Sequence, residues 1–398
     1  MVKKMMKKVV AAMMAAVLAL GCLAGCGAKE AQTSSASAVE ASEKSVEVQE
    51  ESAAESGAGS SAEGETESGA DSLADSASLL DGHLVVYIAN EAASDWQIIS
   101  TEYLKALVES AGGSCQIMNP ENDASKQAQM VEDALVLKPS ALVIKPIDQA
   151  AIIPALQKVN EAGIPVITLD TGLIENAEVD VACAIQTDQT SLGETAAKYV
   201  EKAASEGGYT ANVITVLGDM SSNIAQLRQS GFNDYAATTD NVKVLAETES
   251  KWDPSAAYTA VMDMMTANPD ANTIFCCADC MMSGVIQALG ELDRLAPAGD
   301  EKHVTIVGID ADPNGCAYVE DGYVDQESEH NAALHSDIAY KVIVDMVNGY
   351  DIPETIFFDT TARNIDNIKE AWGNMDVKNV ANWGVMEQDA YVMQTPAQ

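Results

Sequence analysis

Residues 164–170, IPVITLD, form an apolar run that stops on an acid. Ile164 to Leu169 has the length and β-branched content of a buried strand, and Asp170 follows at once. The pattern recurs. NVITVLGD ends on Asp219, TIFCCAD on Asp279 and VTIVGID on Asp310, while HLVVYIAN (83–90) ends on Asn90. Near-continuous apolar strands belong to parallel sheets covered on both faces. Such sheets bind ligands outside the carboxyl ends of their strands. An acid at that place either caps the next helix or lines a cleft, where each carboxylate accepts several O–H bonds. The residues alone leave both readings open.

Working outward, strands alternate with amphipathic helices. Strand 83–90 leads to helix 95–111, which stops at Gly112–Gly113, then to strand 114–118 and helix 123–137. Strand 141–146, helix 149–162 and strand 165–170 follow. After DVACAI (180–185) a second cycle begins, with helices over 189–205, 222–238, 254–267 and 281–290. Its strands fall at 212–217, 242–248, 273–277, 303–309 and near 323–327. This rhythm implies right-handed crossovers and an α/β fold of two doubly wound parallel-sheet lobes.

The flanks carry an address. Lys3, Lys4, Lys7 and Lys8 precede an apolar stretch over 9–21 that is too short for an ordinary membrane span. Leu23-Ala24-Gly25-Cys26 then resembles the lipobox of bacterial lipoproteins. The expectation is a signal peptide over 1–25, a lipidated Cys26, and an extracytoplasmic protein held to the cell membrane by lipid alone. Residues 27–82 hold 13 acids against Lys29 and Lys44 and no aromatic residue, a composition expected to stay disordered. The net charge of −39 argues against nucleic acid as a partner.

Six segments in order carry a family resemblance: IPVITLD, LRQSGF, KWDPSAA, FCCAD, VGIDADPNG and DGYVDQESEH. Together they resemble the type I periplasmic binding proteins, in the branch of the ribose and galactose receptors of bacterial ABC importers. The resemblance covers about residues 83–361 and implies two similar lobes joined by three crossovers, closing around one sugar. Lobe boundaries are expected at 83–186 plus 331–355 and at 187–330 plus 356–398. The crossovers should fall near 186–189, 328–331 and 354–361.

The resemblance also implies a site. Trp96 and Trp252 stand where aromatic rings stack on the sugar, whose C–H faces are apolar. Asp170 and Asp310 match hydroxyl-binding acids, and Arg228 matches a donor with a flat fork suited to two oxygens. Asn90 and Asp279 join them at strand ends. Ser94 stands where the family often has Asn or Asp, and His330 where it usually has Gln or Asn. Thr171 and Ala278 replace an Arg and an Asn. These departures leave room for a deoxy sugar, a polyol or a larger apolar group, and a receptor for a nucleoside or polyol is an alternative reading.

CCADC (276–280) contains a C-x-x-C, but it continues an apolar strand and has no partner set for metal or redox work. Small buried hydrophobes explain these cysteines better. No nucleophile elbow, phosphate loop or zinc-protease motif is present. No cofactor, metal or catalytic residue is expected. The expected protein is a monomeric sugar or polyol receptor that docks on an ABC permease. A sensor serving a histidine kinase or chemoreceptor is the alternative, and an enzyme on the same scaffold a third. Residues 362–398, with Trp372 and Trp383, run past the usual family end without a functional reading.

Overall fold

The computed structural model describes residues 78–375, 379–380 and 390–395. Cys26, the signal, most of the linker and Trp383 lie outside the described residues. The first lobe is built from β1 (Leu84–Ile88), α1 (Asp95–Ser110), β2 (Ser114–Met118), α2 (Ala124–Leu137), β3 (Ala141–Ile144), α3 (Ile153–Glu161), β4 (Val166–Asp170) and β5 (Cys183–Thr187). The second runs through α4 (Gln189–Gly207), β6 (Ala211–Leu217), α5 (Asn223–Ala236), β7 (Val242–Glu249), α6 (Pro254–Ala267), β8 (Thr273–Cys276), α7 (Met282–Glu291), β9 (Thr305–Asp310), α8 (Pro313–Glu320) and β10 (Gln326–Glu329). The chain then returns through α9 (Ala332–Val347), β11 (Thr355–Phe358) and β12 (Ala362–Arg363).

The sheet orders are β11-β5-β4-β3-β1-β2 and β12-β10-β9-β8-β6-β7. Every pair in the first sheet is parallel. The second differs only where β12 runs antiparallel to β10. In each lobe the first strand is flanked by the second and the third, so the order reverses there and a crevice opens at the carboxyl ends. The strands β3, β4 and β9 are buried along their whole length, as a sheet covered on both faces requires. Acids that cap helices are a separate set: Asp123, Asp188, Asp253 and Asp312 each accept first-turn N–H groups.

The lobes exchange chain between Thr187 and Gln189, between Glu329 and Ala332, and between Phe358 and Ala362. The third point corrects the boundary set at 355/356. Phe358 pairs with Thr187, so 356–358 complete the first sheet. Tyr391 likewise packs in the first lobe's core, not the second's. The strand expected near 323–327 is β10 and sits later, at Gln326–Glu329. Helix α9 has no counterpart in the periodicity, because residues 332–345 are all buried, the polar Asp337, Lys341 and Asp345 included, and no solvent-facing polar side marks it.

Candidate functional site

The strand-end acids separate by what they touch. Asp219 serves its own turn, accepting from Ser221 N at 2.9 Å. Asp170 and Asp310 meet in one network. Both have positive φ, 65° and 122°, a conformation that costs energy and persists only when neighbours fix it. Lys145, at the end of β3, places Nζ 2.7 Å from Asp170 Oδ2. Gln189 Nε2 donates to Asp170 Oδ1 at 2.7 Å, and Gln189 Oε1 accepts from Arg228 Nε at 2.8 Å. Arg228 Nη1 donates to the Cys277 carbonyl at 2.8 Å, and Nη2 lies 3.4 Å from Asp310 Oδ1.

His330 joins the halves. Its Nε2 lies 2.8 Å from Asp170 Oδ1, and its Nδ1 lies 3.0 Å from Arg228 Nη2 and 3.2 Å from Asp310 Oδ1. In the tautomer that lets Arg228 donate into Nδ1, Nε2 is the atom that donates to Asp170. Arg228 reaches this point because α4 and α5 pack closely. A Cβ on Gly193 would lie 2.0 Å from the Arg228 carbonyl oxygen, and one on Gly231 equally close to that of Thr190. Burial alone would raise the Asp170 carboxyl, but Lys145 and His330 beside it hold it well below the usual carboxylate range. Burial, with His330 close by, pushes His335 down to about 3. Asp170, His330 and His335 bring three ligand-type atoms within 4.8 Å of one another. Lys145 and Arg228 already supply the positive charge at this point, so the set is an ion-paired network.

Trp96 is 5% exposed, its ring covered by neighbouring side chains. Lys145 Nζ stands 3.7 Å from its centre, and the His330 ring stacks at 4.9 Å and 18°. Its Nε1 donates to the His330 carbonyl at 2.9 Å. In this closed arrangement Trp96 is a wedge against the second crossover. Closure shows also at Asp95, whose Oδ2 accepts from Asn314 Nδ2 of the second lobe at 3.0 Å. Trp252 is half-buried with φ 63°. A Cβ on Gly218 would meet its ring at 2.1 Å. Gly218 N donates to Cys277 Sγ, which places Trp252 one residue behind the Arg228 anchor.

Ser94 caps α1, accepting from Gln97 N at 3.3 Å. Asn90 keeps a buried Oδ1 without a protein partner, as does the Thr171 hydroxyl. Asp279 turns away from the network. Its N donates to Asp310 Oδ2 and its Oδ2 accepts from Asp312 N. It lies beside Glu327, for which Gly308 leaves space: a Cβ there would fall 2.3 Å from Glu327 Oε1. Burial first, then Glu327 and Asp312, push Asp279 well up, and burial raises Asp312 to about 7.

The sequence reading missed Lys145, Gln189 and His335. Lys145 had a usable signal, since it follows the apolar run ALVI as Asp170 follows VITL. All six described cysteines are free thiols. Burial pushes Cys277 up to about 12, the opposite of an activated thiol.

A cavity of about 580 Å³ opens onto Asp170 between the lobes. Thr171, Gln186, Gln189, Leu227 and Phe358 are among its walls. The volume lies in the range of small-molecule sites.

A two-lobed α/β body with polar groups of both lobes converging on the cleft defines a solute-binding protein. The chain matches the family described as periplasmic binding protein domain over residues 85–351, and it belongs to that family. Ribose import binding protein RbsB of Salmonella typhimurium is 32% identical over 211 residues, covering 53% of this chain and 67% of that protein. RbsB of Bacillus subtilis is 27% identical, covering 60% and 73%. The solute-binding protein of Actinobacillus succinogenes solved with D-allose superposes with a TM-score of 0.66 at 22% identity, covering 72% of this chain and 99% of that one. The arabinose-transporter component of Shewanella, bound to L-arabinofuranose, gives 0.66 at 19%, covering 77% and 99%. At these identities the solved structures speak for the fold.

Proposed function

We propose that this protein is the extracytoplasmic binding component of an ABC importer, taking a sugar or polyol between its lobes and returning it unchanged. The observation that carries this reading is the junction of Asp170, Arg228 and Asp310 on His330. It joins the two lobes and the second crossover, so a ligand that touches it selects the closed form. The unpaired buried oxygens of Asn90 and Thr171 supply further handles. Leaving each unmet costs about 1–3 kcal/mol, which a hydroxyl-rich ligand removes. Asp170 and Thr171 face the cavity, so the sugar engages Asp170 from that side, while Trp96 keeps its place behind. Relatives of this family import ribose and bind D-allose by name, which supports a monosaccharide. The permease as docking partner, the lipid on Cys26 and the monomeric state belong to the same proposal.

Thermal unfolding against pentoses, hexoses, polyols and nucleosides tests it. A ligand at a thousand times its Kd adds about 4 kcal/mol, a rise of several degrees. One carbohydrate class should raise the melting temperature, and Asp170→Asn should abolish the rise. If only non-carbohydrates act, the replacements at Thr171 and Ala278 have changed the ligand class and the proposal fails.

A further inference from the structure

The family match ends at residue 351, yet the chain beyond it touches both lobes. Arg363 of β12 extends the second sheet. Ile368 and Ala371 lie in the second lobe's apolar core. The next residue, Trp372, is 1% exposed and belongs to the first lobe's core. Its Nε1 donates to the Asp310 carbonyl at 2.8 Å, across to the second lobe. Its backbone N donates to Glu329 Oε1 at 3.1 Å, and Glu329 Oε2 accepts from Arg363 Nε at 2.8 Å. Further on, Tyr391 packs in the first lobe's core. The buried Asp345 of α9 accepts from Tyr391 Oη at 2.7 Å, from Gln394 N at 2.7 Å and from Thr395 N at 2.6 Å.

Two adjacent side chains, Ala371 and Trp372, are therefore seated in different cores. If the lobes rotate apart, one of them must leave its seat or the segment must travel with the hinge. The indole also holds Asp310, whose φ of 122° needs support from outside the strand.

We propose that residues 368–375 are a strap between the lobes, anchored further on by Tyr391, Gln394 and Thr395 at Asp345, which restrains opening of the cleft and makes Trp372 a positioning residue for Asp310. The strap lies outside the family domain and acts on the site within it. The idea rests on the hinge motion of the proposed function, but its test needs no sugar, so the two stand or fall separately.

The experiment compares small-angle scattering and amide exchange of the ligand-free full chain with three variants. Trp372→Ala, and truncation after residue 389 combined with Asp345→Asn so that no buried charge is orphaned, should each enlarge the radius of gyration. Amide exchange should quicken at 310–312 while the central strands of both sheets stay protected. Trp372→Phe keeps the ring and removes the N–H, so it should leave the radius unchanged and still quicken exchange at 310–312. If Trp372→Ala does not fold, the truncated chain decides. An unchanged radius and exchange pattern there overturns the strap. Loss of protection spread through both sheets overturns it as well, because that is general destabilisation.

Discussion

Asp170 lines the cavity, and it and Asp310 keep the company of Lys145 and Arg228. Asp279, Asp312 and Glu327 lie behind Asp310 in the company of one another and of backbone N–H groups. All five are buried, and Asp279 N even donates to Asp310. Yet the cleft acid Asp170 is held ionised, while burial and mutual repulsion push the rear acids up. A buried carboxyl is a charge or a neutral group according to its neighbours. Only the charged kind offers two acceptors to a sugar, with a cation close by to reset when the sugar arrives.

The sharpest way to break this comparison is to remove a cation. Lys145→Met leaves Asp170 buried with its charge uncompensated on Oδ2, and such a loss costs about 3–5 kcal/mol. Chemical denaturation should show it, and adding Asp170→Asn to the variant should recover most of the stability. A loss under about 1 kcal/mol, the range of a surface pair, would mean that the cleft charges are hydrated and unlike the rear set.

Next in size is Arg228→Lys. The charge stays, but the fork that reaches Gln189, Cys277 and His330 together is lost. A hydrogen bond from a charged group contributes about 1.5–3 kcal/mol, so calorimetric titration with the sugar found in the melting screen should show weakened binding of that order. Unaltered affinity would remove Arg228 from the ligand's path.

The comparison also predicts two separate pH windows. Rear acids with raised folded pKa contribute stability that is whole below the ordinary carboxylate range. It is lost as pH rises through the folded values, about 7 for Asp312. Asp170 does the reverse: its contribution is present above the ordinary range and lost as pH falls through its depressed value. His335, lowered to about 3, also loses its contribution as pH falls below about 6.5. The reading is therefore wild type minus variant. Glu327→Gln should flatten the fall in melting temperature between pH 5 and 8, and Asp170→Asn should alter the curve only on the acid side. A Glu327→Gln curve parallel to wild type would show that the rear acids are not protonated together.

Much of this was legible in the sequence, for physical reasons. Buried parallel strands are short, apolar and end abruptly, so β4, β8 and β9 announced themselves and brought Asp170 and Asp310 with them. Periodicity could not show α9, which is buried all round. Strand β3 presents Lys145 in the same way, but its pairing with Asp170 is a contact between neighbouring strands that no local pattern carries. Nor could spacing say that Asp279 turns inward while Asp310, at the end of the neighbouring strand, turns to Arg228 and His330. That choice depends on Gly308 leaving room for Glu327, a contact between β9 and β10. Trp372 carried no local signal, because its two seats come from opposite lobes.

The smallest effect concerns Ser94, which the family resemblance puts in the cleft and the geometry puts at a helix start. Its backbone is extended, and its Oγ accepts from Gln97 N, as a capping serine does. Ser94→Ala should therefore cost about 1 kcal/mol of stability. The same variant should bind sugar as the wild type does, because the hydroxyl's bonds are spent on Gln97 and on Glu91. Both quantities come from one set of melts with and without ligand. A tenfold loss of affinity would show that the hydroxyl turns to the ligand when the cleft fills, and the cleft set would gain a member that the closed network conceals. A loss of stability alone leaves Trp96, two residues further on, held by the cap in the place where it meets His330.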